Sequence, residues 1–189
     1  QFATNLLNFT LLIVVYDLSK SNVAVAGVVL TFTLPSILFG ILAGVYVDRW
    51  NKKNVLVYTN ILRAFASFPL LFLSTELFFV YTLSFLVFLI TQFFIPAETP
   101  IIPLLVKKRE LLITANALFS MGIFGSIIVA YGLSGPLLLL LGRDNVFILI
   151  TVLFAVSAFF AFLIKLKYQE EEDTGKINIL GEIRDAFLV

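Results

Sequence analysis

Ser36-Ile-Leu-Phe-Gly-Ile-Leu-Ala-Gly-Val-Tyr-Val-Asp-Arg-Trp-Asn-Lys-Lys-Asn54 reads as an apolar helix that stops abruptly in a charged turn. Ser36, Gly40 and Gly44 recur every four residues, so they share one helix face and leave a shallow groove there. A second helix can approach such a groove closely, which is how helices associate inside lipid. Val47 closes the apolar run, and Asp48, Arg49, Trp50, Asn51, Lys52 and Lys53 follow directly. A basic turn is also what the cytoplasmic end of any membrane span tends to carry. Both readings put this stretch at the edge of a bilayer.

Composition extends that placement to the whole chain. Of 189 residues, 60% are hydrophobic and 13% charged, and the mean hydropathy is +1.05. Water-soluble domains lie far from these values. The 21 Phe and six Tyr suit lipid contact or an aromatic cavity. Cys and His are absent, which excludes disulfides, thiolate or imidazole metal sites, and Cys–His or Ser–His–Asp catalysis. No cofactor, no metal and no nucleic-acid partner is expected.

Working outward from the charged turn, six apolar runs appear: Gln1–Tyr16, Ala24–Val47, Val55–Leu73, Leu77–Ile95, Thr114–Leu141 and Val146–Ile164. A helix needs ~20 residues to cross a bilayer core, and most of the runs match that length. The first run is shorter and is already apolar at Gln1, so a first span whose start lies upstream is expected. It lacks the basic head and small-residue cleavage site of a signal peptide. Residues 1–166 are therefore expected to form a six-helix transmembrane bundle, and 167–189 to begin a linker. The acidic run Glu170–Asp173 reads as solvated linker, while Leu180, Ile183 and Phe187 suggest a surface helix entering a further segment. The bilayer itself is the first expected partner.

Basic residues orient the bundle. Arg49, Lys52 and Lys53 follow the second run, Lys107, Lys108 and Arg109 follow the fourth, and Lys165, Lys167, Lys176 and Arg184 occupy the tail. The opposite connections hold only Lys20 and Arg143. The positive-inside bias then places both termini in the cytoplasm.

The six spans divide into two triplets. Span five carries Gly122, Ser126, Ala130 and Ser134 at four-residue spacing, matching the stripe of span two. Each stripe falls on the middle helix of its triplet, as two inverted three-helix repeats would produce. The order G-x-x-x-D-R-x-x-K-K, formed by Gly44, Asp48, Arg49, Lys52 and Lys53, resembles the signature between spans two and three of the major facilitator superfamily. That family usually has Gly where this chain has Asn51, and Asn is at ease in the left-handed conformation a tight turn can demand.

Further stretches resemble the macrolide, siderophore and drug exporter branch of that family: Asn60–Arg63, Ile95–Val106 and Thr114–Leu118. Gly122, Gly135 and Pro136 match the antiporter pattern of span five in part, with Tyr131, Leu139 and Leu140 where further glycines would stand. A proline kink with small neighbours is the other reading of that segment. The resemblance implies an all-α polytopic membrane protein, half of a twelve-helix facilitator fold, with spans two and five facing a second six-helix half. It implies a transporter of the prokaryotic plasma membrane, not an enzyme. Such a protein would export a small amphipathic substrate by alternating access with proton coupling, Asp48 latching the cytoplasmic side. The alternative is a complete six-span protein of another class. An ABC-type domain would need longer internal connections, however, and a membrane enzyme a polar cluster at depth.

Polar residues within the spans are the candidate site. Arg63 lies about nine residues past Asn54, or ~13 Å at ~1.5 Å per residue, near the bilayer midplane. It should face protein or water, in company with Thr59, Asn60 and Ser67 on the same face. A substrate or gating contact and a structural pairing with Asp48 or Glu98 are both open. Asn5 and Asn8 on span one, and Phe85, Phe88 and Gln92 on span four, are candidate cavity walls or, alternatively, helix-packing groups. Asp17 and Glu98 are the candidate coupling acids.

Overall fold

Apolar stretches of this length can cross a bilayer only as helices, because hydrocarbon offers no partner to a backbone N–H or C=O. The computed structural model describes residues 1–106 and 109–164, and all its regular elements are α-helices. The linker at 167–189, its acidic run, and Lys107 and Lys108 lie outside the described residues. The helices are α1 (Phe2–Ser19), α2 (Asn22–Arg49), α3 (Lys52–Ser67), α4 (Leu70–Leu73), α5 (Leu77–Glu98), α6 (Ile101–Leu105), α7 (Arg109–Leu141) and α8 (Arg143–Leu163). With α3 and α4 counted as one, six segments are long and apolar enough to span a membrane. Span three is broken at Phe68–Pro69, where proline has no N–H to donate. The chain recovers through short bonds from the Leu71 and Phe72 N–H groups to the Phe68 and Pro69 carbonyls, both 3.1 Å.

Local chemistry sets the corners. Lys20, at φ 50°, closes α1 by donating its N–H to the Tyr16 carbonyl at 2.8 Å. The Ser21 hydroxyl accepts from the Ala24 N–H to open α2, and Gly142, at φ 79°, separates α7 from α8. Asn51 departs from expectation. Its φ is −63° and ψ 110°, so no left-handed residue is required, and its side chain accepts the Asn54 N–H at 3.2 Å. Asparagine is favoured there as the N-cap of α3.

The packing follows the two-triplet reading. The second span packs most closely on the fourth, the fifth on the first, and the third on the sixth and fourth. Exchanging the triplets turns the 2–4 pair into the 5–1 pair and leaves the 3–6 pair unchanged. Three is odd, so the second triplet enters the bilayer from the side opposite the first. Leu6, Leu7, Leu11 and Val15 of α1 meet Phe147, Ile150 and Phe154 of α8 in the main core. A smaller cluster of Val47, Val55, Leu56, Phe94 and Ala97 lies under the charged turn.

Among the glycines of span two, the one with the least room against span four is Gly27, which is not a member of the Ser36–Gly44 stripe. A Cβ on Gly27 would sit 3.2 Å from the Tyr81 hydroxyl oxygen, and that hydroxyl donates to the Ala24 carbonyl at 2.8 Å. A Cβ on Gly44 would meet nothing within 4 Å. Gly27→Val should therefore destabilise the detergent-solubilised protein by ~1–3 kcal/mol through overpacking, and Gly44→Ala should leave it unchanged or slightly more stable. Unfolding midpoints measure this, and equal shifts at the two glycines would contradict the close contact.

Candidate functional site

The charged turn is built by the two helices it joins. Val47 is buried beneath it and Asp48 and Arg49 are exposed. Trp50 stacks on Phe93 of α5, with ring centroids 6.3 Å apart, and lies 6.0 Å from Tyr46. An indole at the end of a span suits the interfacial layer. The Lys52 ammonium donates to the Asp48 carbonyl oxygen, and the Lys53 ammonium sits 5.2 Å above the Phe162 ring. Both lysines thus tie the turn back to the bundle. The Asp48 carboxylate makes no hydrogen bond or ion pair among the described residues.

Arg63 is the deepest charge. Its side chain is 1% exposed. One Nη donates to the Thr4 hydroxyl of α1 at 3.2 Å and the other to the Asn60 amide oxygen at 2.7 Å. Phe94 of α5 and Phe154 of α8 cover the guanidinium at 4.0 and 5.0 Å. Ring quadrupoles attract a cation most strongly where water is excluded. Arg63 Nε has no partner. Among the described residues no carboxylate reaches Arg63 within 4.0 Å; Glu98 lies one turn beyond Phe94 on α5. Glu98 is half-buried and accepts a hydrogen bond from the Gln1 side chain. The expected company of Arg63 is present: Thr59, Asn60 and Ser67 are buried, and the Ser67 and Thr151 hydroxyls are bonded at 3.1 Å. Sequence reasoning missed Thr4, Phe94 and Phe154, because those contacts join residues far apart in the chain with no local pattern.

The proposed cavity walls behave unevenly. Asn5 donates to the Ser126 hydroxyl at 3.2 Å, binding span one to span five. Asn8 is half-buried and its amide oxygen is buried without a partner. Phe85 is half-buried. Phe88 and Gln92 sit as the packing alternative has them. Both are buried against span two: Phe88 lies 5.5 Å from the Phe32 ring, and a Cβ on Gly40 would meet the Gln92 amide oxygen at 3.9 Å. The Gln92 amide nitrogen donates to the Phe88 carbonyl. Asp17, at the opposite end from Asp48, is exposed and pairs with Lys20 at 3.1 Å.

The span-five stripe is divided. Gly122 is exposed and Ser126 half-buried, whereas Ala130 and Ser134 are fully buried. Ser126 bonds Asn5, and the Phe9 and Tyr131 rings lie 4.9 Å apart, so this part of the stripe packs within the bundle on span one. Ala130 and Ser134 are buried within these six spans, as ordinary helix packing would have them. Gly135 is half-buried and Pro136 exposed, and Ser36 of span two is exposed with Gly40 and Gly44 half-buried. Spans two and five remain the least covered, with 17% and 11% of their apolar windows buried against 33–50% in the other four.

Six apolar spans in two triplets, with buried polar groups tying helix to helix, define an integral membrane bundle of the transporter type. Among the described residues no group of His, Cys, Asp or Glu is arranged to hold a metal ion. The chain belongs to the Major Facilitator Superfamily, which it matches over residues 1–184. Comparisons with curated proteins and with solved structures return no match. Members of this family are transporters, so a small-molecule substrate follows, and the ABC-type and membrane-enzyme alternatives fall away.

Arg63 and Asn60 should be thermodynamically coupled. Arg63→Met removes the buried charge and leaves the Asn60 amide oxygen unpaired, whereas the double change Arg63→Met with Asn60→Leu removes both partners. A double-mutant cycle on unfolding stability should return a coupling of ~1 kcal/mol, within the range for contacting residues. Strict additivity would mean that the 2.7 Å bond is not made in the membrane.

Proposed function

We propose that residues 1–164 act as one rocking half of a secondary transporter that exports a small amphipathic molecule by alternating access. A second six-span half of the same protein is its partner across the open faces of spans two and five. The carrying observation is the pairing of the exposed Asp48 carboxylate, unpartnered among the described residues, with the open face at Gly44 one turn away. A charge and a small-residue groove left without company inside the six spans are supplied for a surface outside them. In the resemblance to the facilitator signature, Asp48 meets a helix N-terminus of the other half, where the positive end of the dipole favours an anion. Arg49, Lys52 and Lys53 set topology and position that carboxylate. Ser36 and Gly122 extend the contact surface, whereas Gly40 faces Gln92 within the bundle, and Gly135 and Pro136 shape the far end of span five.

The substrate path is assigned to span one around Asn8, whose amide oxygen lacks a partner, with Phe85 supplying apolar contact. Glu98 is favoured over Asp17 as the proton-coupling acid. It is half-buried one turn beyond Phe94, whose ring covers Arg63, whereas Asp17 is exposed and already paired with Lys20. The exporter assignment rests on the resemblance of Asn60–Arg63, Ile95–Val106 and Thr114–Leu118. The membrane is the prokaryotic plasma membrane, with the Asp48 turn on the cytoplasmic side.

Asp48→Asn in the full-length protein should lower transport at least tenfold at matched abundance, since topology follows Lys and Arg rather than acids. Gly44→Val should also lower transport while leaving the stability of the six spans unchanged, because its Cβ meets nothing within them. Val45→Leu provides the neighbouring control. Undiminished transport by Asp48→Asn would remove the latch, and equal losses at Gly44 and Val45 would remove the interface.

A further inference from the structure

The end of the bundle opposite Asp48 contains a cavity of about 730 Å³ between the end of α1, the end of α7 and the start of α8. Small-molecule sites occupy ~300–1,000 Å³, so its size is that of a binding site and not a packing fault. Its lining includes the apolar Ile13, Leu138 and Leu139 and the charged Asp17, Arg143 and Asp144. Leu139 is 89% exposed, so the apolar lining runs out onto the uncovered surface of span five.

These charges are held only weakly by one another. Asp17 pairs with Lys20 at 3.1 Å, but both side chains are about two-thirds exposed, where such pairs contribute little. Arg143 meets its chain neighbour Asp144 at 3.5 Å, the long edge of a hydrogen bond. Both signs of charge therefore remain available to a ligand. All three residues lie at helix ends, the level at which a bilayer presents its headgroups.

We infer that this cavity is a binding site for a phospholipid with a zwitterionic ammonium–phosphate headgroup, its acyl chain lying along Leu138 and Leu139. Arg143 takes the phosphate and the carboxylates of Asp17 and Asp144 take the ammonium. The two acids also supply discrimination. A site with Arg143 alone would accept any phosphate, whereas the carboxylates repel a lipid whose headgroup is a net anion. The inference stands apart from the transport reading, since lipid occupancy can be measured without turnover.

The test is native mass spectrometry of the full-length protein released from nanodiscs holding equal amounts of phosphatidylethanolamine and phosphatidylglycerol. Phosphatidylethanolamine should be retained at least tenfold over phosphatidylglycerol. In Asp17→Asn and in Asp144→Asn, each checked for an unchanged unfolding midpoint, the preference should fall below threefold, and in Arg143→Gln the retention of both lipids should fall at least tenfold. Phe65→Leu, an exposed position on α3, should keep the preference. Retention without headgroup preference, an unchanged preference in both acid variants, or undiminished retention in Arg143→Gln would overturn the assignment. So would binding of soluble phosphoethanolamine as tight as that of the lipid, which would make the cavity a vestibule for water-borne zwitterions.

Discussion

A guanidinium placed inside an apolar bundle has to be held by protein, because hydrocarbon supplies neither a counter-charge nor a hydrogen bond. Arg63 meets this demand with groups from four spans: Asn60 from its own helix, Thr4 from the first, Phe94 from the fourth and Phe154 from the sixth. The arrangement fixes the rotation of α3 about its axis. Once Arg63 points inward, Thr59, Asn60 and Ser67 must follow it, and Tyr58, Leu62 and Phe65 must face outward. One polar requirement thereby orients a whole helix, and that helix touches spans four and six most extensively.

The same constraint governs the milder polar residues, which meet it locally. Thr31, Thr59, Ser84, Thr91 and Ser134 return their hydroxyls to carbonyls three or four residues earlier on their own helices. Bonds of that kind satisfy a hydroxyl without holding two helices together. The work of joining spans falls to a few contacts, such as Asn5 with Ser126, Ser67 with Thr151 and Tyr81 with the Ala24 carbonyl. Between them the helices pack by shape, since apolar side chains gain little from leaving lipid for protein. This leaves spans two and five free to keep large uncovered faces in a bilayer. In the proposed transporter those faces divide between lipid and the second half.

Small residues at regular spacing proved to be two different things. On span five, Ser126, Ala130 and Ser134 let span one approach, so their role is consumed within the bundle. On span two, Gly44 stays open, Gly40 faces Gln92, and the glycine with the least room against span four is Gly27. Spacing reports that a helix has a narrow face, but the identity of whatever occupies that face depends on a helix elsewhere in the chain. The buried Phe88 and Gln92 carry the same lesson. Their shared face was legible, and which of its two readings applied depended on span two lying against it.

What the sequence determined by itself was whatever depends on one segment and its solvent. Apolar length set the six spans, Lys and Arg placement set the expected orientation, and the order Gly44, Asp48, Arg49, Lys52, Lys53 pointed to the family. The inward turn of Arg63 was legible too, because a charge at that depth has only one affordable direction. Tertiary structure decided everything that requires two segments at once: the rings covering Arg63, the close contact at Gly27, the division of the span-five stripe and the cavity between α1, α7 and α8. It also decided the role of Asn51, whose extended backbone makes it a helix cap and not a left-handed corner. The physical reason is common to all of these. Hydrophobicity and charge act on each residue against a uniform solvent, whereas packing and hydrogen bonding act between particular atoms brought together by the fold.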